Sequence, residues 1–326
     1  MLTNYPNGLS SFGVPLAGTI PLVMGSTGTQ KIYFVDATNG VDGNDGLSTE
    51  TALRTVAAAY ALAVSGDTIA LSTNSSHTLT TGLTVAKNRI NFIGLDFGGR
   101  QVQQGAKVQI TGDNSSVFVL KVTGVRNSFT NIKFINSSTN AASLTVMQEG
   151  GEGTLWANCS FVFGVADNLG GATAHEVLAG SDSATYINCT FGADTLLTSG
   201  ARSVFHIDQI NGFEFKSNIL QNCNFIISSS SSTATFVRLD AVGDILFTNV
   251  FKDCTFLASV DSAGGAAIAE ASQTGTGTVK GGLYYVRPAV FNVTDFATAT
   301  SGRNANTQVV AAVSVAAAVE GIKPTA

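Results

Sequence analysis

Charge is what this sequence has least of. Only 12% of its 326 residues are Asp, Glu, Lys or Arg, and Lys+Arg 17 against Asp+Glu 22 leaves a formal net charge of -5. A surface that neutralises phosphates needs a basic excess, so nucleic acid is not an expected partner. Long hydrophobic runs are also missing. No segment approaches the roughly eighteen uninterrupted apolar residues of a membrane span, so membrane insertion is not expected. The N-terminal "MLTNYPNGLSSFGVPLAG" has no basic region and no continuous apolar stretch, which argues against a signal peptide. Histidine is confined to His77, His175 and His206, too few and too scattered for a triad or a metal cluster. Neither a G-x-S-x-G elbow nor a G-x-G-x-x-G turn occurs, and no cofactor is expected.

Against these absences stand 35 glycines and an apolar fraction of 44%, ample for a core. The four cysteines fall in four look-alike hexapeptides: "WANCSF" from Trp156, "YINCTF" from Tyr186, "LQNCNF" from Leu220 and "FKDCTF" from Phe251. Each Cys is followed two residues later by Phe. "NIKF" (Asn131–Phe134) fits the same frame with Ile132 in the Cys place, and "INF" (Ile90–Phe92) reads as an earlier copy. The Phe column is then Phe92, Phe134, Phe161, Phe191, Phe225 and Phe256. A second column of apolar pairs drifts with it, with second members Val119, Val146, Val177, Ile207, Leu239 and Ile268. Units of about 27–34 residues, each holding short strands of period-two alternation, describe the coils of a β-solenoid.

That frame gives the cysteines a structural reading. In N-C-x-F the Cys and Phe share one strand face and point into the core, where a free thiol behaves as a small hydrophobe. No C-x-x-C pair of the kind that holds zinc is present. The residue before each Cys is Asn158, Asn188, Asn222 or Asp253, with Asn131 in the Ile132 copy. Asn tolerates the left-handed conformation of a tight corner, and stacked amides can hydrogen-bond from coil to coil.

The stretch "YFVDATNGVDGNDGLSTETALRTVAAAYALAVSGDTIALS" (Tyr33–Ser72) resembles the opening of right-handed parallel β-helix proteins, the pectate-lyase-like superfamily. The matching parts are the strand Tyr33–Asp36, the loop Asn39–Gly46, a helix over Thr51–Val64 and the "GDTI" at Gly66. The resemblance implies an all-β, single-stranded parallel β-helix over residues 31–290 with a short N-terminal capping helix at 51–64. Val56, Ala59, Tyr60 and Ala63 lie on one face of that helix, suited to plug the open end of the stack. The acidic residues Asp36, Asp42 and Asp45 are metal candidates faintly like a calcium loop, and a simple turn is the alternative, since the twelve-residue pattern is incomplete.

Residues 1–30 carry no charge but three prolines, and they do not fit the coils. They read as an arm that docks on a partner through Tyr5, Pro6, Leu9, Phe12, Val14, Pro15 and Leu16. The Ala/Val-rich segment 291–326 reads as a cap or oligomerisation element. "NYPNGLSSFGVPL" is similar to the N-termini of short phage head-associated proteins, and that resemblance implies a virion protein: a capsid decoration or head fibre, homotrimeric, bound to the major capsid or another virion protein. The alternative is a tailspike-like polysaccharide depolymerase or lyase acting on a host surface glycan. For it the sequence offers Asp208 and Asp240 at matching places in neighbouring coils as an acid/base pair, with His206 and Arg238 beside them to bind an acidic sugar.

Overall fold

The computed structural model describes residues 30–297, apart from 74–75, 96–107, 113–116, 141, 166–173, 196, 198–201, 211, 230–233, 240–244, 259–265, 271–279 and 292. Outside that range it describes only the backbone of Ser10–Ser11, Val14–Pro15, Thr307–Val310 and Val313–Ser314. The chain winds as a single-stranded parallel β-helix. Its strands stack coil on coil into three long parallel sheets of eleven, nine and eight strands.

The N-C-x-F mark recurs once per coil, as its spacing predicts. Phe134, Phe161, Phe191, Phe225 and Phe256 pair in register along the nine-stranded sheet. Phe134, Phe161 and Phe191 stack at 5.5 and 5.4 Å with rings within 8° of parallel. Cys159, Cys189, Cys223 and Cys254 are free and fully buried. Each thiol donates to backbone carbonyls, that of Cys159 to Phe129 O at 3.4 Å. Asn131, Asn158, Asn188, Asn222 and Asp253 all turn the corner with φ of 54–59°. The Asn158 amide donates to Asn131 Oδ1 at 3.1 Å, so the corner ladder is bonded as well as stacked.

Two expectations are corrected. Phe92 does not begin the Phe134 column, where Ile110 precedes Phe134 instead. Phe92 lies in the eleven-stranded sheet, in line with Phe129, Trp156, Tyr186, Leu220, Phe251 and Tyr285. This second ladder includes ring contacts of 4.8 Å (Phe92–Phe129) and 4.1 Å (Phe129–Trp156). The apolar-pair column also slips in register. Across the eight-stranded sheet the matched residues are Leu120, Met147, Val177, Phe205, Val237 and Ala269. Adjacent residues are buried together there, Val146 with Met147, Val204 with Phe205 and Phe236 with Val237. A strand that buries two neighbours breaks the period-two rule by which the column was placed.

The helix spans Val56–Leu62, shorter than expected, with Thr55 as its N-cap accepting from Ala58 N. Val56, Ala59 and Ala63 are buried and Tyr60 packs against the core, as the helical face predicts. Two contacts explain the late start: Leu53 bridges Val35, and Asp42 accepts the amides of Arg54 and Thr55 and the Thr55 hydroxyl. Lys87 anchors the other end, its Nζ donating to the carbonyls of Tyr60, Ala61 and Ala63. That is the favourable sign of charge for a helix C-terminus.

Candidate functional site

The outer surface around the end of the strand Ser203–Ile207 gathers most of the predicted polar residues. His206 pairs in register with Arg238, and Ile207 with Leu239. The side-by-side placement of His206 and Arg238 expected from the repeat is therefore present. Arg238 is partly exposed, whereas His206 is only 7% exposed. The His206 ring sits edge-on to His175 at 4.9 Å, and His175 Nε2 lies 3.0 Å from the Thr145 hydroxyl. Asp208 follows at the strand exit, partly exposed, its Oδ1 accepting the Gln209 amide at 2.7 Å. Asp240 lies outside the described residues.

Past Asp208 the chain forms a tight reversal in which Ile210 and Phe213 exchange antiparallel hydrogen bonds. This reversal lies directly on Gly180 of the coil below. A Cβ there would stand 2.4 Å from Asp208 O and 2.5 Å from Ile210 N, so no side chain fits. The chain rejoins the stack at Phe215–Lys216, and the Lys216 amide donates to Ser181 O just as the Asp208 amide donates to Ala179 O. These two bonds, to Ala179 and Ser181 of the coil below, bring the backbone of Asp208 and of Lys216 to the same corner.

Lys216 Nζ bonds Asp182 Oδ2 at 2.7 Å across the coils, with both side chains partly exposed. The Asp182 carboxylate, bonded and charged, holds the Lys216 ammonium above its usual range. The corner thus carries a partly exposed carboxylate, Asp208, and an ion pair that can donate and accept at once. Neither Asp182 nor Lys216 stands out in the sequence, because their pairing depends on a corner register that the Phe period does not specify.

Two buried acids also escaped the sequence reading. Glu149 accepts from Gly151 N, Thr154 Oγ1 and Trp156 Nε1. Burial outweighs these donors and pushes its carboxyl up to about 7. Glu176 is bonded to Arg202 at 2.6 Å, and their side chains are 1% and 2% exposed. Burial raises the Glu176 carboxyl although the guanidinium opposes it. Both acids are sealed inside the stack and serve its architecture.

The expected metal candidates are occupied by their own loop. Asp36 accepts the amides of Thr38 and Asn39, and Asp45 accepts Leu47 N and the Thr51 hydroxyl. With Asp42 tied to the helix start, the three carboxylates fit the turn alternative. Of the arm, Tyr5, Pro6, Leu9, Phe12 and Leu16 lie outside the described residues. Val14 and Pro15 are described only by their backbone pairing with Ser11 and Ser10.

No protein-family model and no curated protein sequence matches the chain. Solved structures do. A pectin methylesterase in complex with a hexasaccharide superposes with a TM-score of 0.56 at 11% identity, over 90% of this chain and 92% of its own. The pectin methylesterase of Aspergillus niger gives 0.57 at 12% identity, over 87% and 85%. PemA of Erwinia chrysanthemi gives 0.52 at 10%, over 89% and 91%. At these identities the likeness is one of architecture: the chain has the parallel β-helix fold of the pectin methylesterases.

Proposed function

We propose that the protein engages and processes an extended polysaccharide on the outside of its β-helix, at the corner where Asp208 leaves the eight-stranded sheet. The observation that carries this reading is a partly exposed carboxylate, Asp208, whose backbone rests on Gly180 two residues before Asp182 of the Lys216–Asp182 pair. A polymer laid along the axis meets equivalent backbone every ~4.8 Å, so successive sugars find repeated contacts. Asp208 is the acid/base carboxylate, and Asp240 the second one, following Leu239 in the register that matches Ile207. The architecture shared with pectin methylesterases supports a carbohydrate-directed role over a purely structural one. Fold alone does not carry chemistry, so the test is direct. Purified chain is incubated with a panel of neutral and acidic polysaccharides, and chain length and new reducing ends are measured. Cleavage that is lost in Asp208→Asn, alone or with Asp240→Asn, supports the proposal. Cleavage unchanged in both variants, or none across the panel, rejects Asp208 as the catalytic carboxylate.

The charge-free N-terminal segment favours a second reading, a homotrimeric virion β-helix held on a capsid by residues 1–30. Here truncation of residues 1–30 abolishes incorporation into particles, and normal incorporation rejects the anchor. The two readings meet if the virion protein is itself the glycan-directed one.

A further inference from the structure

A column of left-handed residues marks the corner next to Asp208. Arg89, Arg126, Gly153, Ser183, Ser217 and Phe247 all have φ between 54° and 64°. The bridges Val125–Glu152–Asp182–Lys216, and the pairing of Lys216 with Leu246, place the last five at one position of successive coils. The turn imposes this conformation on whichever residue occupies it. Five occupants are Arg, Gly or Ser, types at ease in water. The sixth is an aromatic ring, for which a positive φ is a marked departure. Phe247 is also 60% exposed, so no core packing compensates the strain.

The Lys216 ammonium lies over one face of the Phe247 ring, 5.6 Å from its centre, and is bonded to Asp182. The charges acting on this ammonium are the carboxylates of Asp182, Glu152 and Glu214, so its surroundings are acidic. A carboxylate-bearing sugar is repelled there, while hydroxyls find both donors and acceptors. A flat apolar face the size of a single ring with a hydrogen-bonding rim matches a pyranose, and is too small for a stable protein interface.

We propose that Phe247 forms a stacking platform for an uncharged hexopyranose polymer, whose hydroxyls bond the Lys216–Asp182 pair. This inference rests on the glycan-directed reading above and narrows its ligand to neutral sugars, unlike the pectin named for the fold's relatives. Phe247 binds and positions; it is not a catalytic residue.

The test is binding by the full chain to soluble neutral glucan, galactan and mannan, with polygalacturonate as the acidic probe, by affinity electrophoresis and calorimetry. At least one neutral glycan is expected to bind, and polygalacturonate is not. Phe247→Gly relieves the backbone strain while removing the ring, so Tm should rise as affinity falls by at least about tenfold. Phe247→Trp should keep binding. A merely structural Phe247 predicts no loss of affinity in the glycine variant. Binding of none of the neutral glycans, equal affinity in Phe247→Gly, or polygalacturonate binding that depends on Phe247 each overturns the proposal. Neutral binding without cleavage leaves it standing while the catalytic assignment of Asp208 falls. Cleavage that is indifferent to Phe247 gives the reverse.

Discussion

Replacing Glu149 by Gln should change how stability depends on pH more than it changes stability itself. The carboxyl ionises near 4.5 in an unstructured chain and near 7 in the fold, with burial as the main cause. Between those values the folded state holds a proton that the unfolded state has released, so stability falls as pH rises. Over that interval, at about 1.4 kcal/mol per pH unit, the loss is on the order of 3 kcal/mol. It is complete above about pH 7 and absent below about 4.5. The carbonyl of the introduced amide can still accept from Gly151 N and Thr154 Oγ1, which share Glu149 Oε1 in the wild type. The amide NH2 then faces the Trp156 indole N–H that Oε2 accepted, a donor–donor conflict costing about 1–3 kcal/mol at every pH. The two effects separate because only one depends on pH. Urea unfolding at pH 5 and pH 8, followed by the fluorescence of Trp156, reads them directly, as Trp156 is the chain's one tryptophan. The wild type minus E149Q difference should shift by about 2.5 kcal/mol against the wild type between those pH values. Parallel behaviour of the two proteins would refute the assignment of that titration to Glu149.

Phe161 is fully buried between Phe134 and Phe191, so Phe161→Ala should cost about 3–5 kcal/mol in unfolding free energy. Breaking the sealed ion pair with Arg202→Met strands a buried carboxylate and should cost about 3–5 kcal/mol, and adding Glu176→Leu should recover much of that loss. The four thiols are buried and burial pushes that of Cys223 well up, so a thiol reagent should label the native chain slowly and all four sites after denaturation. At the corner, Asn158→Gly should be close to neutral, whereas Asn158→Val should be clearly destabilising because its φ of 54° disfavours a β-branched side chain.

Much of the architecture was legible because one column is nearly invariant in chemistry. Phe134, Phe161, Phe191, Phe225 and Phe256 keep one register, and the left-handed Asn before each Cys explains itself by Asn's tolerance of the corner. Phe92 was assigned to the wrong sheet because the aromatic ladder through Phe129 and Trp156 runs alongside with a similar period. The drift at Val146 came from a strand that buries two adjacent residues, which alternation cannot encode. The site was less legible. Asp208 and the His206–Arg238 match follow from the repeat, but Lys216 and Asp182 meet only because a reversal folds down onto Gly180. Phe247 gives no sequence signal, since phenylalanine is not a turn residue and its neighbours "ILFTNV" read as an ordinary strand.

The most direct test of a glycan-directed corner is a crystal structure of the full chain with a neutral oligosaccharide bound. The expected result is a sugar ring stacked on Phe247, hydroxyls within hydrogen-bond distance of Lys216 and Asp182, and the next unit extending toward Asp208. A sugar seated on another face of the helix, with Phe247 left bare, would contradict it.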